Sequence, residues 1–172
     1  SWRAITKPGA IKTLWQALTA APEIGIAGAR LEYPDGTMQT SRFRRLTPLA
    51  ELPRAASTSV VSQLLPNHLI PLPPAQTTVN ADWVSFACVL IRREVFQAIG
   101  PMDEGYFMYY EDGDFCRRAW DAGWKVVHCP DAEIVHFHGK SGSVEDDKRS
   151  RNRRPRFYYE ARARYFAKFY GK

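Results

Sequence analysis

Apolar residues recur along this chain with two different periods, and the switches between them outline an α/β fold. Ile11, Leu14, Trp15 and Leu18 fall at i, i+3, i+4 and i+7, the stripe of an amphipathic helix. The break Lys7-Pro8-Gly9 precedes it, with Pro8 suited to a first helical turn, and Ala21-Pro22 is its expected end. Ile24 to Leu31, IGIAGARL, then reads as a short buried strand built from small residues. A helix running into such a strand is an α/β signal. Pro34-Asp35-Gly36 is a turn, and Thr37 to Phe43 a returning strand.

Residues 44–78 carry the weakest pattern. Leu46, Leu49 and Leu52 suggest a short helix, but six prolines between Pro48 and Pro74 interrupt, as in a surface connection or a segment covering a substrate. Val79 to Arg92 contains VSFACVLI, a nearly continuous apolar run that predicts a central strand. Arg93 to Ile99 predicts a short helix closed by Gly100-Pro101. Phe115, Ala119 and Ala122 mark a second helix stopped by Gly123, with Asp112 placed to cap it. Trp124 to Cys129 and Glu133 to Phe137 read as two strands around the turn Pro130-Asp131. Gly139 to Asp147 is polar and loop-like. After Pro155 a last helix puts Tyr158-Tyr159, Tyr165-Phe166 and Phe169-Tyr170 on one broad face among Arg162, Arg164 and Lys168.

Composition narrows the class. With 172 residues, 45% of them hydrophobic and 13% aromatic, the chain fits one domain with a real core and is not a disordered segment. No apolar run approaches the roughly 20 residues of a membrane span. The three cysteines, Cys88, Cys116 and Cys129, form no framework and no C-x-x-C pair, which favours a reducing, cytoplasmic setting. The net charge of +6 is uneven. From Lys148 onward ten Lys or Arg face one acid, a net of +9, and the remainder carries −3. A basic, aromatic segment over 148–172 suggests an anionic neighbour: a membrane surface, phosphate or nucleic acid.

The chemistry concentrates between Met102 and Gly123. Asp103, Glu104, Glu111, Asp112 and Asp114 crowd together among aromatics at the start of a helix. Like charges at that density repel, so grouping them suits a site that removes a proton or faces a cation. Acids capping a helix and facing its dipole are the plainer reading, and the two are compatible. The second signal is His136-Phe137-His138. On a strand both imidazoles share a face, and imidazole ligates divalent transition metals, although a structural histidine is the commoner case.

Taken in order, W-V-x-x-A-x-x-L-I-R-R from Trp83, D-E-x-x-F from Asp103, E-D-x-D-x-x-x-R from Glu111 and H-x-x-G-x-S from His136 resemble the C-terminal half of a family 2 glycosyltransferase. The likeness is to rhamnosyltransferase-like members that build surface polysaccharides, and it runs over nearly all of residues 1–172. The resemblance implies a partial GT-A fold: a mixed sheet flanked by helices, with an amphipathic C-terminal helix. It implies an inverting transferase in which Asp112, with Glu111 as the fallback, deprotonates an acceptor hydroxyl that displaces a nucleoside diphosphate from the sugar. It implies Mg2+ or Mn2+ to offset the leaving diphosphate, with His136 as a metal ligand, and places Trp83, Asp103, Glu104 and Arg118 around the substrates. The implied partners are a nucleotide-sugar donor and a saccharide or lipid-linked saccharide acceptor, at the cytoplasmic face of a membrane.

Two departures qualify that expectation. Phe86 stands where the family usually has a small residue, which would reshape the acceptor site. The N-terminal half, which in the family reads the nucleotide and carries a D-x-D metal motif, has no counterpart here, so weak binding of nucleotide-sugar by this polypeptide is expected. The rival readings are a non-catalytic remnant that binds carbohydrate or a partner, and a basic nucleic-acid-binding module using KRSRNRRPR, which the acidic body disfavours.

Overall fold

A computed structural model of the chain describes residues 3–51, 70–137 and 154–171. The elements run β1 (Arg3–Thr6), α1 (Ala10–Thr19), β2 (Ile24–Glu32), β3 (Met38–Gln39), β4 (Arg42–Phe43), β5 (Val79–Asn80), β6 (Trp83–Val84), β7 (Val89–Ile91), α2 (Arg93–Ile99), α3 (Glu111–Asp121), β8 (Lys125–Phe137) and α4 (Arg156–Tyr170). The predicted mixed sheet flanked by helices is observed. At its centre β2 and β8 lie parallel. β1 and β5 pair antiparallel with β8, and β3 and β7 antiparallel with β2. A separate two-stranded ribbon joins β4 to β6.

Alternation along the two central strands sends side chains to two cores. Ala27, Ala29 and Leu31 with Val127, Cys129 and Ile134 meet α1 through Ala10, Leu14 and Leu18. Ile26 and Val126 face the other way, onto Val84, Val95, Phe115, Cys116 and Ala119. Each fully buried Leu of α1 contributes about 1.5–3 kcal/mol. The buried stripe of α1 is rotated from the predicted one. Alanines at 27 and 29 let the helix approach through Ala10, Leu14 and Leu18, which leaves Ile11 and Trp15 more than half exposed. A third cluster is aromatic and belongs to α4: Tyr158, Ala161 and Tyr165 pack on Tyr106, Tyr110, Leu46 and Ile70.

Two strand predictions need correction. Val79–Arg92 is not one central strand. It is three short pieces with three different partners, because the chain crosses over the sheet between them. The Asp82 carboxylate accepts the Arg45 N–H, and the Trp83 indole donates to the Arg44 carbonyl, which draw β6 onto β4. Conversely, the two strands expected around Pro130-Asp131 are one 13-residue strand. The turn is absorbed as a bulge: Ala29 pairs with Cys129, and the next residue, Arg30, with Glu133. β1 had no sequence counterpart. The short helix expected around Leu46, Leu49 and Leu52 is described only to Glu51, where residues 48–50 form a turn. His138, the loop Gly139–Asp147 and residues 148–153 lie outside the described residues.

The crossover explains a glycine. A Cβ at Gly28 would lie 2.6 Å from Val84, so β6 can cross this face of β2 only over a residue without a side chain. That crossing sets Val84 to Phe86 beside the N-terminus of α3. Gly28→Ala is expected to cost about 1–3 kcal/mol by overpacking, read as a lower urea midpoint; an unchanged midpoint would show that β6 yields without cost.

Candidate functional site

The acids predicted to matter sit at the N-terminus of α3. The turn that delivers them is strained. Tyr109 and Tyr110 have φ of 69° and 67°, the left-handed region, and Tyr110 is the N-cap of the helix. A tyrosine held there costs about 1–3 kcal/mol, a cost that persists where surrounding contacts enforce it. Asp112 is therefore not the cap. It lies inside the first turn, and no side chain caps the helix.

That shift frees the Asp112 carboxyl for other work. Its Oδ1 accepts the Gly113 N–H at 2.8 Å, and the Phe86 amide also donates to the carboxylate. Loss of water, with the negative charge of Glu111 next to it, pushes the Asp112 carboxyl up to about 8, against the weaker pull of those amides. Glu111 is raised by burial too, and its Oε2 has no partner among the described residues. The two titrate as a pair. The Leu46 side chain packs closely on the helix here, coming within 2.9 Å of where a Cβ of Gly113 would be.

From Asp112 the contacts lead across the sheet face. Ser85, next to Phe86, donates its N–H to the Ser41 carbonyl at 3.0 Å, and Ser41 Oγ meets His128 Nε2 at 2.9 Å. His128 is buried, and desolvation with the nearby Arg42 and Arg30 lowers it to about 4, so it is neutral. Two residues back, Gln39 donates from Nε2 to the His136 carbonyl at 2.8 Å, and its Oε1 faces His136 Nδ1 at 3.0 Å. A carbonyl can only accept, so this orientation of the amide assigns a hydrogen to Nδ1, the kind of contact that metal-bound imidazoles commonly make through the nitrogen that does not ligate. Gln39, Ser41 and His128 line a cleft of about 160 Å³ with Arg30, Arg42 and Pro73. A run of contacts thus links Asp112, through the Phe86 amide, Ser85 and Ser41, to His128 in the middle of β8, and Gln39, two residues before Ser41, holds His136 at the end of that strand.

His136 fits one position of a metal site. No group of three or more metal-binding side chains occurs among the described residues, so the described part of the chain does not supply a complete ligand set.

The remaining predicted residues are placed elsewhere. Trp83 is half-buried, stacked on Phe43 at 3.9 Å, with its edge near Gly113. Arg118 spends its guanidinium on Asp114 and on the carbonyls of Ile99 and Pro101, so it holds the loop before the site instead of reaching toward a diphosphate. Asp103 is bound by Arg164 and Lys168, which hold its carboxyl far below the usual range. Glu104 is exposed in the same loop. Phe86, expected to narrow the acceptor site, packs edge-on to Phe115 at 5.6 Å, so the core absorbs part of it. Sequence reasoning missed Gln39, Ser41 and His128. Their only signal was polar residues two apart on a short strand and one histidine in an apolar one.

The sequence matches the family described as Glycosyltransferase like family 2 over residues 4–159. It is 33% identical over 141 residues to N-acetylglucosaminyl-diphospho-decaprenol L-rhamnosyltransferase of Mycobacterium tuberculosis, an alignment covering 78% of this chain and 44% of that protein. It is 30% identical over 123 residues to the O-antigen biosynthesis protein RfbC of Myxococcus xanthus, covering 70% of this chain and 9% of that one. A shorter match, 32% over 68 residues, is to Rhamnosyltransferase WbbL of Escherichia coli, covering 40% and 26%. The chain therefore spans less than half the length of these relatives.

The raised Asp112 value has a consequence for stability. Unfolded, the carboxyl titrates near ~4; folded, it holds its proton to about 8. Its ionisation therefore works against folding, increasingly as pH rises from the first value to the second. Asp112→Asn is expected to stabilise the fold by on the order of 1–2 kcal/mol at pH 8 and by nothing near pH 3, read from urea unfolding at both. A variant destabilised equally at both pH values would contradict this.

Proposed function

The chain belongs to glycosyltransferase family 2, and on that footing we propose that it is the acceptor-side, base-bearing portion of an inverting glycosyltransferase of cell-envelope polysaccharide synthesis. The observation that carries the reading is the pair Glu111–Asp112, half-buried at the head of α3 just after a strained turn, with the Asp112 carboxylate held by two backbone amides and both carboxyls raised by burial. A general base works best with a pKa near the operating pH, and an ordinary surface aspartate is several units too acidic. Near neutral pH the fraction of molecules in which Asp112 has released its proton carries a carboxylate able to take the proton of an acceptor hydroxyl. Asp112 is the better base because two backbone amides fix its oxygens, whereas Glu111 tunes it by charge.

The oxygen freed of its proton attacks the anomeric carbon of the sugar as the bond to the nucleoside diphosphate breaks. No covalent sugar intermediate is required, so a single base suffices. A Mg2+ or Mn2+ ion, with His136 as one ligand, would supply positive charge to the leaving diphosphate. Trp83, half-buried beside Gly113, is proposed to offer part of its ring to the acceptor sugar. The name of the mycobacterial relative describes transfer to a lipid-diphosphate-linked sugar. An acceptor of that class is proposed here, and it would bring the protein to the cytoplasmic face of a membrane. No described helix is long and apolar enough to cross one.

The rival nucleic-acid reading rests on KRSRNRRPR, most of which lies outside the described residues; of the cations that follow it, Arg162, Arg164 and Lys168 are paired with acids of the same chain. The test is sugar transfer from a nucleotide-sugar to a lipid-linked saccharide by the enzyme complete with a donor-binding half. Asp112→Asn should lower kcat by about 10²–10⁴-fold with donor binding retained, and Glu111→Gln should lower it less. A fully active Asp112→Asn enzyme would reject the assignment.

A further inference from the structure

The basic C-terminal helix was expected to turn its cations to an anionic surface. In the structure two of them, still exposed, reach onto the loop and helix that carry the proposed base. Lys168 Nζ bridges two acids, 2.7 Å from Asp114 Oδ2 and 3.1 Å from Asp103 Oδ2. Arg164 takes the other oxygen of Asp103 at 2.7 Å. Asp114 is fully buried, two residues beyond Asp112. It also accepts from Arg118 Nε at 2.8 Å and from the Tyr106 hydroxyl at 3.2 Å. Arg164 occupies the space where Gly105 would carry a Cβ, so the loop is shaped to receive it.

The aromatic face of α4 completes the grip. Tyr109 stacks on Phe157, and Tyr110 packs against Tyr158 and Tyr165, its hydroxyl 3.2 Å from that of Tyr158. These are the two residues with left-handed backbone, and the strain they hold needs contacts of this kind to persist. Among the described residues, Lys168 is the side chain that ties both acidic anchors, before and after the strained turn, to the same point on α4.

We infer that Lys168 is a positioning residue for the reaction: by clamping Asp103 and Asp114 to α4 it fixes the turn Tyr109-Tyr110 and so the direction in which Glu111 and Asp112 point. The inference rests on the reading of Asp112 as the base. Lys168 touches neither substrate nor the reacting atoms. Its effect is on geometry, where a shift of about 1 Å in a catalytic group can cost about 100-fold in rate.

Arg162 supplies the control, because it ties the same helix to the body through Glu51 at 2.8 Å, away from the acids of α3. In the complete enzyme, Lys168→Met should lower kcat by about 10- to 100-fold while the KM for nucleotide-sugar is retained. Lys168→Arg should recover most of the rate, and Arg162→Met should keep the parent rate even if its melting temperature falls as far. Amide hydrogen exchange at residues 109–113 should speed up in Lys168→Met and not in Arg162→Met. Should Lys168→Met fail to fold, Lys168→Gln, which removes the charge and shortens the side chain, carries the same comparison. The inference is overturned if the Lys168 variants melt lower yet keep the parent kcat, or if Arg162→Met loses as much rate. Asp112→Asn assayed in parallel separates the two failures. If it stays active, the base assignment falls whatever Lys168 does; if it is dead while Lys168→Met is unimpaired, only the positioning role falls.

Discussion

The carboxylate of Asp114 is cut off from water, and an ion there survives only if its oxygens are fully engaged. Lys168, Arg118 and Tyr106 engage them, and each comes from a different part of the chain. That single buried charge therefore obliges the C-terminal helix, the body of α3 and the loop before it to meet at one place. Between the loop and the helix lie Tyr109 and Tyr110 in a backbone conformation that tyrosine avoids, and just beyond them the Glu111–Asp112 pair. The geometry of the acids is thus a consequence of tertiary closure, since local sequence preference opposes it.

The same economy shapes the rest of the site. The parallel pair β2 and β8 needs small residues on one face for α1 and a glycine on the other for the crossing of β6. The crossing brings the Phe86 amide to Asp112, and Ser85 to Ser41, so a feature of sheet packing becomes a wall of the candidate site. His128, neutral and bonded to Ser41, lies along that wall, and Gln39 orients the His136 ring at the end of the same strand.

Much of this architecture was legible in the amino-acid order because local patterns carry it. The helices at 93–99 and 111–121, the strand of IGIAGARL and the turn at Pro34-Asp35-Gly36 follow from spacing and turn chemistry. What was not legible depends on partners distant in sequence. A continuous apolar run such as VSFACVLI does not announce that its ends pair with different strands. Asp112 looked like a cap because aspartate at a helix start usually is one; only the contacts from α4 make Tyr110 take that place. The acids of the E-D-x-D stretch were recognised as a group, yet their division of labour was hidden. Asp114 and Asp103 are anchors, and Glu111 and Asp112 are the desolvated pair. The cations of α4 likewise read as a surface feature until their acids were seen.

Closure of the C-terminal helix on the acidic turn is proposed to hold two carboxyls in a state that favours proton transfer. A carboxyl 13C NMR titration of Glu111 and Asp112 in the folded chain tests this. Asp112 is expected to release its proton far above the ordinary aspartate range, toward neutral or higher pH, in a titration coupled to that of Glu111. Two independent titrations, each near the ~4 of an exposed carboxyl, would contradict it.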